Sequence, residues 1–358
     1  MTLTQYQQDM LDGRYGKGKA LAMRVQKTIG EGFRAQRMVP ITRAHVALSA
    51  QEADTWFARK LRNARAQCAV PPTVNPGYCL KYFQQMGCVD EKSSALMWET
   101  HQVYQDLVAI LTYSCTPYLF GNIPRYGETV SFSETSVTVY ANSVLGARTN
   151  RESSASALCA AITGFVPEYG MLLDENRLGT VLVQVDAPLQ GEFDFALLGM
   201  NAKRVGPGVP VFAGIRALDV TTEALIALGA QLNVAGMADL FHMVGAILGC
   251  PHYPYEQVCR AARLLKQAPA AAPVWILTSA AVVDLARSTG LAGQLEKCGA
   301  ELIPDTCVDE APCWGHLAGQ RGFTDSPKCA YYMRAFGVEL DVTTCENCLA
   351  LAVKGGKS

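Results

Sequence analysis

Hydrophobic positions along this chain follow two rhythms, and the change between them divides it. In the first half the rhythm is mostly helical. Residues 2–13, "TLTQYQQDMLDG", carry a Thr cap and end at Gly13, and residues 19–33, "KALAMRVQKTIGEGF", repeat an amphipathic pattern. "AQRMVPITRAHVALS" predicts a strand leading to His45, and "SAQEADTWFARKLRNARA" a capped helix. "CAVPPTVNPGY" is punctuated by prolines, so its turns are expected to expose Thr73 and Asn75. "HQVYQDLVAILTYS" predicts a helix whose apolar face stops just before Cys115.

From Gly179 the texture changes. "GTVLVQVD", "PVFAGI" and "DLFHMVGAI" predict strands, and beyond Pro251 strands and helices alternate. "YEQVCRAARLLKQ" sets Val258, Ala262 and Leu265 on one helical face, and "PVWILTS" is a buried strand. "AAVVDLARST" and "GQLEKCG" are helices, "AELIP" and "GVELDVT" strands, and "CENCLALAVKG" the last helix. Alternation of this kind implies a parallel sheet covered on both faces, hence an α/β fold. The expected division lies near residue 178, giving parts 1–178 and 179–358.

Composition narrows the partners. The chain has 358 residues, 49% of them hydrophobic and 18% charged, with 31 basic and 32 acidic side chains. A net charge of −1 without a basic cluster argues against nucleic acid or an anionic membrane as partner. With neither a spanning run nor a signal peptide, a cytoplasmic protein is expected, and its 13 cysteines are then thiols or metal ligands rather than disulfides. Ligands of open α/β sheets gather beyond the carboxyl ends of strands. Cys115, Cys250 and Cys307 fall at such ends or turns, and Cys348 lies in the first turn of the last helix, where the helix dipole favours thiolate. Soft donors on separate loops suit iron–sulfur or zinc, and the spacing selects neither, since "CENC" (Cys345, Cys348) has no partner CxxC. The other cysteines are read as packing residues, with Cys313 undecided. His45, His242 and His252 follow strand-like segments as site histidines do, and a hydrogen-bonded structural role fits them equally.

The polar stretch "YANSVLGARTNRES" stands out in so apolar a chain. Arg148 and Arg151 are spaced so that both could face one anion, while Thr149 and Asn150 also suit a helix N-cap. The longer block "YSCTPYLFGNIPRYGETVSFSETSVTVYANSVLGARTNRES" resembles the aconitase X family in its large-subunit or catalytic region. "MVPITRAHV", "VPPTVNP", "GFVPEYGMLLDENR", "LFHMVG", "LGCPHYPYEQV", "IPDTC", "TDSPKCAYYM" and "CENCLALAV" are similar in the same order.

The resemblance implies an aconitase-like fold of several subdomains and a hydro-lyase holding an iron–sulfur cluster. The family dehydrates cis-3-hydroxy-L-proline or mevalonate 5-phosphate, and the first is the substrate expected here. Cluster ligands carried over are Cys115, Cys307 and Cys348, with Cys250 and Cys345 in reserve. Substrate contacts carried over are His45, Thr73, Asn75, Glu134, Ser136, Asn142, Ser143, Arg148, Thr149, Asn150 and Arg151. Glu134 would orient the arginines or serve a structural ion pair. The chain stops soon after "CENC", so the small swivelling domain, with the serine base of the superfamily, is expected on a separate small subunit. Two departures bear on activity. Leu172 stands in "GMLLDENR" where histidine is expected, and "DSPK" replaces "NSGK", so Pro327 stiffens that loop. A different reading is an inactive relative that serves as scaffold or binder.

Overall fold

The computed structural model describes residues 1–48, 50–202, 208–215, 220–231 and 245–354. The chain forms two compact units, Met1–Asn75 with Glu91–Gly179, and Pro76–Asp90 with Thr180–Ser358.

In the first unit, β1 (Met38–Pro40) pairs antiparallel with β5 (Phe165–Pro167), and β2 (Arg43–Val46) lies between β3 (Thr73–Val74) and β4 (Val130–Phe132) in a parallel sheet. The helix Ser154–Thr163 is the centre of this unit. Every residue from Ser156 to Thr163 is buried, as a helix apolar on all sides must be. A capping box between Ser153 and Ser156 starts it, so the cap lies beyond Thr149 and Asn150. The helix Lys17–Gly32 packs on it, and Gln26 donates to the carbonyl of Ser156 at 2.6 Å.

Two expectations for this unit change. The helix predicted over residues 101–114 ends at Asp106. Val108 then takes φ 68°, and the chain runs extended beside β3, where Ile110 donates to the Pro72 carbonyl at 2.8 Å. A β-branched residue at positive φ cannot continue a helix. Thr73 is likewise not exposed by a turn. It is 4% exposed on β3, because the proline-rich segment enters the sheet.

In the second unit, β6 (Val181–Gln184) and β7 (Pro210–Ala213) form a two-stranded parallel sheet. The helices Gly191–Ala202 and Thr222–Gln231 pack together beside it through Phe195, Ala224 and Leu228. The larger sheet is parallel throughout, in the order β10 (Ala300–Pro304), β9 (Val274–Thr278), β8 (Gly245–Leu248), β11 (Arg321–Thr324), β12 (Glu339–Val342). This is the predicted α/β architecture. Of the predicted strand "DLFHMVGAI", the part through Val244, His242 included, lies outside the described residues. Val258, Ala262 and Leu265 are buried as their spacing predicts, together with Leu248, Ile276 and Leu349. Each such side chain contributes roughly 1.5–3 kcal/mol on burial. Among the described residues no helix is long and apolar enough to cross a membrane.

Candidate active site

The carboxyl edge of the first unit's sheet gathers polar side chains from successive strands. At one flank Ser114 donates to the Val74 carbonyl at 3.1 Å, which brings Cys115 to the end of β3. At the other, Arg151 bridges Phe132 on β4, and Glu152 donates to the Phe132 carbonyl at 3.0 Å. Between them stand Asn75, His45 and Glu134.

His45 is fully buried and held from both sides. Its Nε2–H donates to Asn75 Oδ1 at 2.6 Å, which leaves Nδ1 to accept from the Thr73 hydroxyl at 2.8 Å. Thr73 Oγ1 in turn accepts from Asn122 Nδ2 at 2.7 Å. Burial pushes the imidazole down to about 4, against the opposing influence of Asn75, Glu134 and Thr73. His45 is therefore neutral at pH 7, in one tautomer, and turns the Asn75 amide toward itself through the oxygen. Glu134 caps the helix Thr135–Ser143, accepting from Val137 N at 3.1 Å and from the Ser136 hydroxyl. Burial raises the Tyr118 hydroxyl, helped by the nearby Cys115, Glu134 and Tyr140.

The polar stretch that follows is built differently from the expected cradle. Asn142 donates to the Thr149 carbonyl at 2.8 Å and accepts from Thr149 N at 3.1 Å. Asn150 donates to the Tyr169 carbonyl at 3.0 Å and accepts from Met171 N at 2.8 Å. Thr149 is buried, with Oγ1 bound to the backbone of Phe132 and Asn150. These side chains brace the loop. Ser143 is exposed at a helix end. The two arginines do not converge on one anion. Arg148 bridges Thr129 and Arg151 bridges Phe132, so both are extended, about 10 Å apart and on opposite sheet faces. The Arg148 guanidinium binds the Leu172 carbonyl at 2.8 Å and the Asp174 carboxylate. Arg151 is exposed, with no ion pair among the described residues. Leu172, the departure noted in the sequence, thus uses its backbone oxygen here.

The second unit also collects its chemistry at the carboxyl edge. Cys250 follows β8, Cys307 follows β10, Asp325 follows β11 and Cys345 follows β12. Burial pushes the Cys307 thiol well up, helped by Asp309 and the neighbouring Cys250. Burial pushes Cys345 up to about 12, helped by Asp325, whose carboxyl is itself raised to about 6 by burial. The buried Tyr253 hydroxyl donates to Asp325. Cys348 stands near the same groups, its thiol donating to the Thr343 carbonyl at 3.9 Å and within electrostatic reach of Asp325, Cys345 and Cys329. It is fully buried in the apolar cluster with Leu349 and Ala352, and desolvation there outweighs the helix dipole, raising its thiol rather than lowering it.

Soft thiols of this kind are the donor type an iron–sulfur group takes, and Cys250 lies near enough to Cys307 to act on it electrostatically. Within either unit no three His, Cys, Asp or Glu side chains among the described residues are grouped to hold a metal by themselves. A recess of about 360 Å³ between Phe323, Asp341, Asn347 and Lys354 includes none of these thiols. Sequence reading missed Asp325 and the buried Lys328, whose ammonium lies 6.0 Å over the Tyr332 ring. Both follow β11, a four-residue strand too short and glycine-interrupted to stand out. Its sign was a lysine within the otherwise apolar "PKCAYYM".

Residues 1–175 match the aconitase X first domain, and residues 244–354 the aconitase X third domain. The chain is 32% identical to the phosphomevalonate dehydratase large subunit of Thermococcus kodakarensis, over 97% of this chain and 98% of that protein. It is 28% identical to the cis-3-hydroxy-L-proline dehydratase of Pseudomonas aeruginosa, over 99% of this chain and 70% of that protein. The crystal structure of Thermococcus kodakaraensis aconitase X in its holo form superposes with a TM-score of 0.87 at 30% identity, covering 98% of this chain and all of that one. The two family domains and these likenesses agree, and the chain belongs to the aconitase X family.

Proposed function

We propose that this chain is the large, catalytic subunit of an iron–sulfur-dependent hydro-lyase that dehydrates a small hydroxy acid, with cis-3-hydroxy-L-proline as substrate. The observation that supports it most is the thiol pair Cys250 and Cys307 at the carboxyl edge of a parallel sheet, where such folds bind ligands. These two thiols would hold the group, and Cys115 and Cys345 are further candidate ligands. Cys348 is a further candidate, whose side chain also packs against the apolar core. When bound, the group supplies a Lewis-acidic iron to receive the departing hydroxyl.

The chain's own residues then bind and orient. Neutral His45 cannot compete for a proton near pH 7, and it fixes the Asn75 amide in one orientation at the sheet edge. Arg151 is a cation available for a substrate carboxylate, which a guanidinium meets through two parallel hydrogen bonds. Arg148 is already neutralised by Asp174, which leaves fewer cations for a phosphate and supports the unphosphorylated substrate. The proton-abstracting base is proposed on a small-subunit partner. The second reading, mevalonate 5-phosphate as substrate, is favoured by the match over 98% of the Thermococcus kodakarensis large subunit.

The test is turnover of each compound by the purified chain with its small subunit, reconstituted anaerobically with iron and sulfide. Product from cis-3-hydroxy-L-proline alone supports the first reading. Product from the phosphorylated compound alone replaces it with the second, and turnover of neither removes both.

A further inference from the structure

Two of the candidate ligand thiols share a backbone feature. The residue two positions before each, Tyr113 before Cys115 and Asp305 before Cys307, is a non-glycine in the left-handed region, at φ 44° and φ 54°. Side chains other than glycine adopt this region at a cost, and surrounding contacts must hold them there. Asp305 shows those contacts fully. Its carboxylate accepts from Ala280 N at 2.7 Å, at the start of the helix Ala280–Ser288, and its own N–H donates to the Thr278 carbonyl at 2.8 Å. The reversal sends the chain back from the end of β10 across its neighbours. There the Thr306 carbonyl accepts from His252 Nε2 at 2.8 Å and Thr306 Oγ1 accepts from Cys79 N at 3.0 Å. Cys307 is fixed on both sides of its peptide, donating to the Gly77 carbonyl at 2.9 Å and accepting from Trp314 Nε1 at 3.1 Å.

Asp305 is not the only cap of this helix, since Ser279, itself buried, accepts from Val282 N. What the Asp305 contact adds is a fixed starting point for the turn that delivers Cys307 to its place between the Gly77 carbonyl and Trp314 Nε1.

We propose that Asp305 is a positioning residue that presets the Cys307 thiol for its metal. The proposal rests on the reading of Cys307 as an iron ligand. Outer residues that orient metal ligands typically change metal affinity by about 10–100-fold.

The test compares D305N, D305A and D305G in the full chain. Asparagine keeps an acceptor for Ala280 N and tolerates positive φ, alanine loses both, and glycine regains only the backbone freedom. Melting temperature, the alkylation rate of Cys307 by iodoacetamide in metal-free protein, and iron retention against a chelator are measured for each. D305N is expected to match the unaltered chain in all three. D305G is expected to melt above D305A, yet to alkylate Cys307 several-fold faster than the unaltered chain and hold iron about tenfold more weakly. Cys307 reactivity that follows melting temperature across the variants, or is unchanged in D305G, overturns the proposal. Absence of iron from the unaltered reconstituted chain sinks the iron reading instead, and the alkylation rates then still decide whether Asp305 fixes the thiol.

Discussion

His45 Nε2 lies 2.6 Å from Asn75 Oδ1, and the two residues come from adjacent parallel strands, His45 from β2 and Asn75 from the end of β3. The pair converts a buried imidazole into a fixed neutral donor and points the Asn75 amide at the sheet edge. It also makes the fold sensitive to acid. A histidine lowered to about 4 in the folded chain, against 6.5 when unfolded, binds fewer protons folded than unfolded between those values. Its contribution is complete above about pH 6.5 and is lost as pH falls toward 4. The largest possible loss is about 3 kcal/mol, at 1.36 kcal/mol per unit. Urea denaturation of the chain at pH 7 and pH 4.5 should show this loss, and H45Q should flatten it.

Asn75→Ala removes the acceptor of a buried N–H, which costs about 1–3 kcal/mol when nothing replaces it. Because the amide also stands at the proposed substrate edge, turnover should fall by more than this loss of stability explains. Asn75→Asp separates the two effects. A carboxylate still accepts from His45 and raises the imidazole toward its ordinary range, so the acid sensitivity described above should shrink. Titration of the His45 ring resonances by NMR checks the direction.

The arginines make opposite predictions. Arg148 is tied to the Leu172 carbonyl and the Asp174 carboxylate, both contacts closing the loop that Asn142 and Asn150 brace. Arg148→Ala should lower stability by about 1–2 kcal/mol, most of it from the carbonyl contact, because Asp174 is exposed and an exposed ion pair adds little. Arg151→Ala should leave stability within about 0.5 kcal/mol, as surface substitutions do, while raising KM for a carboxylate substrate. Equal losses of stability in both variants would contradict the separate placement of the two side chains.

Much of this arrangement was legible in advance, for identifiable reasons. The alternation beyond Pro251 announced a parallel sheet because strands buried on both faces are continuous apolar runs, and "PVWILTS" lies between two neighbours as such a run should. β4 and β11 were not legible. "VSF" and "RGFT" are too short for a period-two pattern, and only pairing with β2, β8 and β12 makes them strands. The polar stretch around Arg148 was legible as unusual, but its side chains turn inward to backbone groups of residues 169–172, contacts distant in sequence that no local pattern encodes. The same limit explains Cys348. Its place in a first helical turn suggests a lowered thiol, while burial against the apolar face of the helix Tyr255–Leu265 raises it.

Gly249 precedes Cys250 at φ 93°, and a Cβ there would sit 2.3 Å from the Leu277 carbonyl oxygen. Gly249→Ala therefore meets both a disfavoured backbone region and a clash with an unyielding strand. A loss of at least about 1–3 kcal/mol is expected from the first effect alone. Thermal unfolding checks it, and relief by the neighbouring strand moving aside would appear as altered reactivity of Cys250.

The cysteines themselves provide the sharpest contrast. Cys348 is buried among Val258, Ala262 and Leu349, so Cys348→Ser places a hydroxyl in an apolar core, at a cost of about 1–3 kcal/mol if it finds no partner. Cys348→Ala loses only packing and should be milder. Cys250 is only partly buried at the sheet edge, and serine there should leave the melting temperature of the metal-free chain nearly unchanged, while the desolvated Cys307 thiol makes Cys307→Ser somewhat costlier. Iron retention should follow the reverse order, falling sharply in Cys250→Ser and Cys307→Ser and least in Cys348→Ala. Iron per chain after anaerobic reconstitution, measured beside the melting temperature of each metal-free variant, separates a thiol that holds metal from one that holds the core. Retention lost in Cys348→Ala but kept in Cys250→Ser would move the ligand from the end of β8 to the last helix.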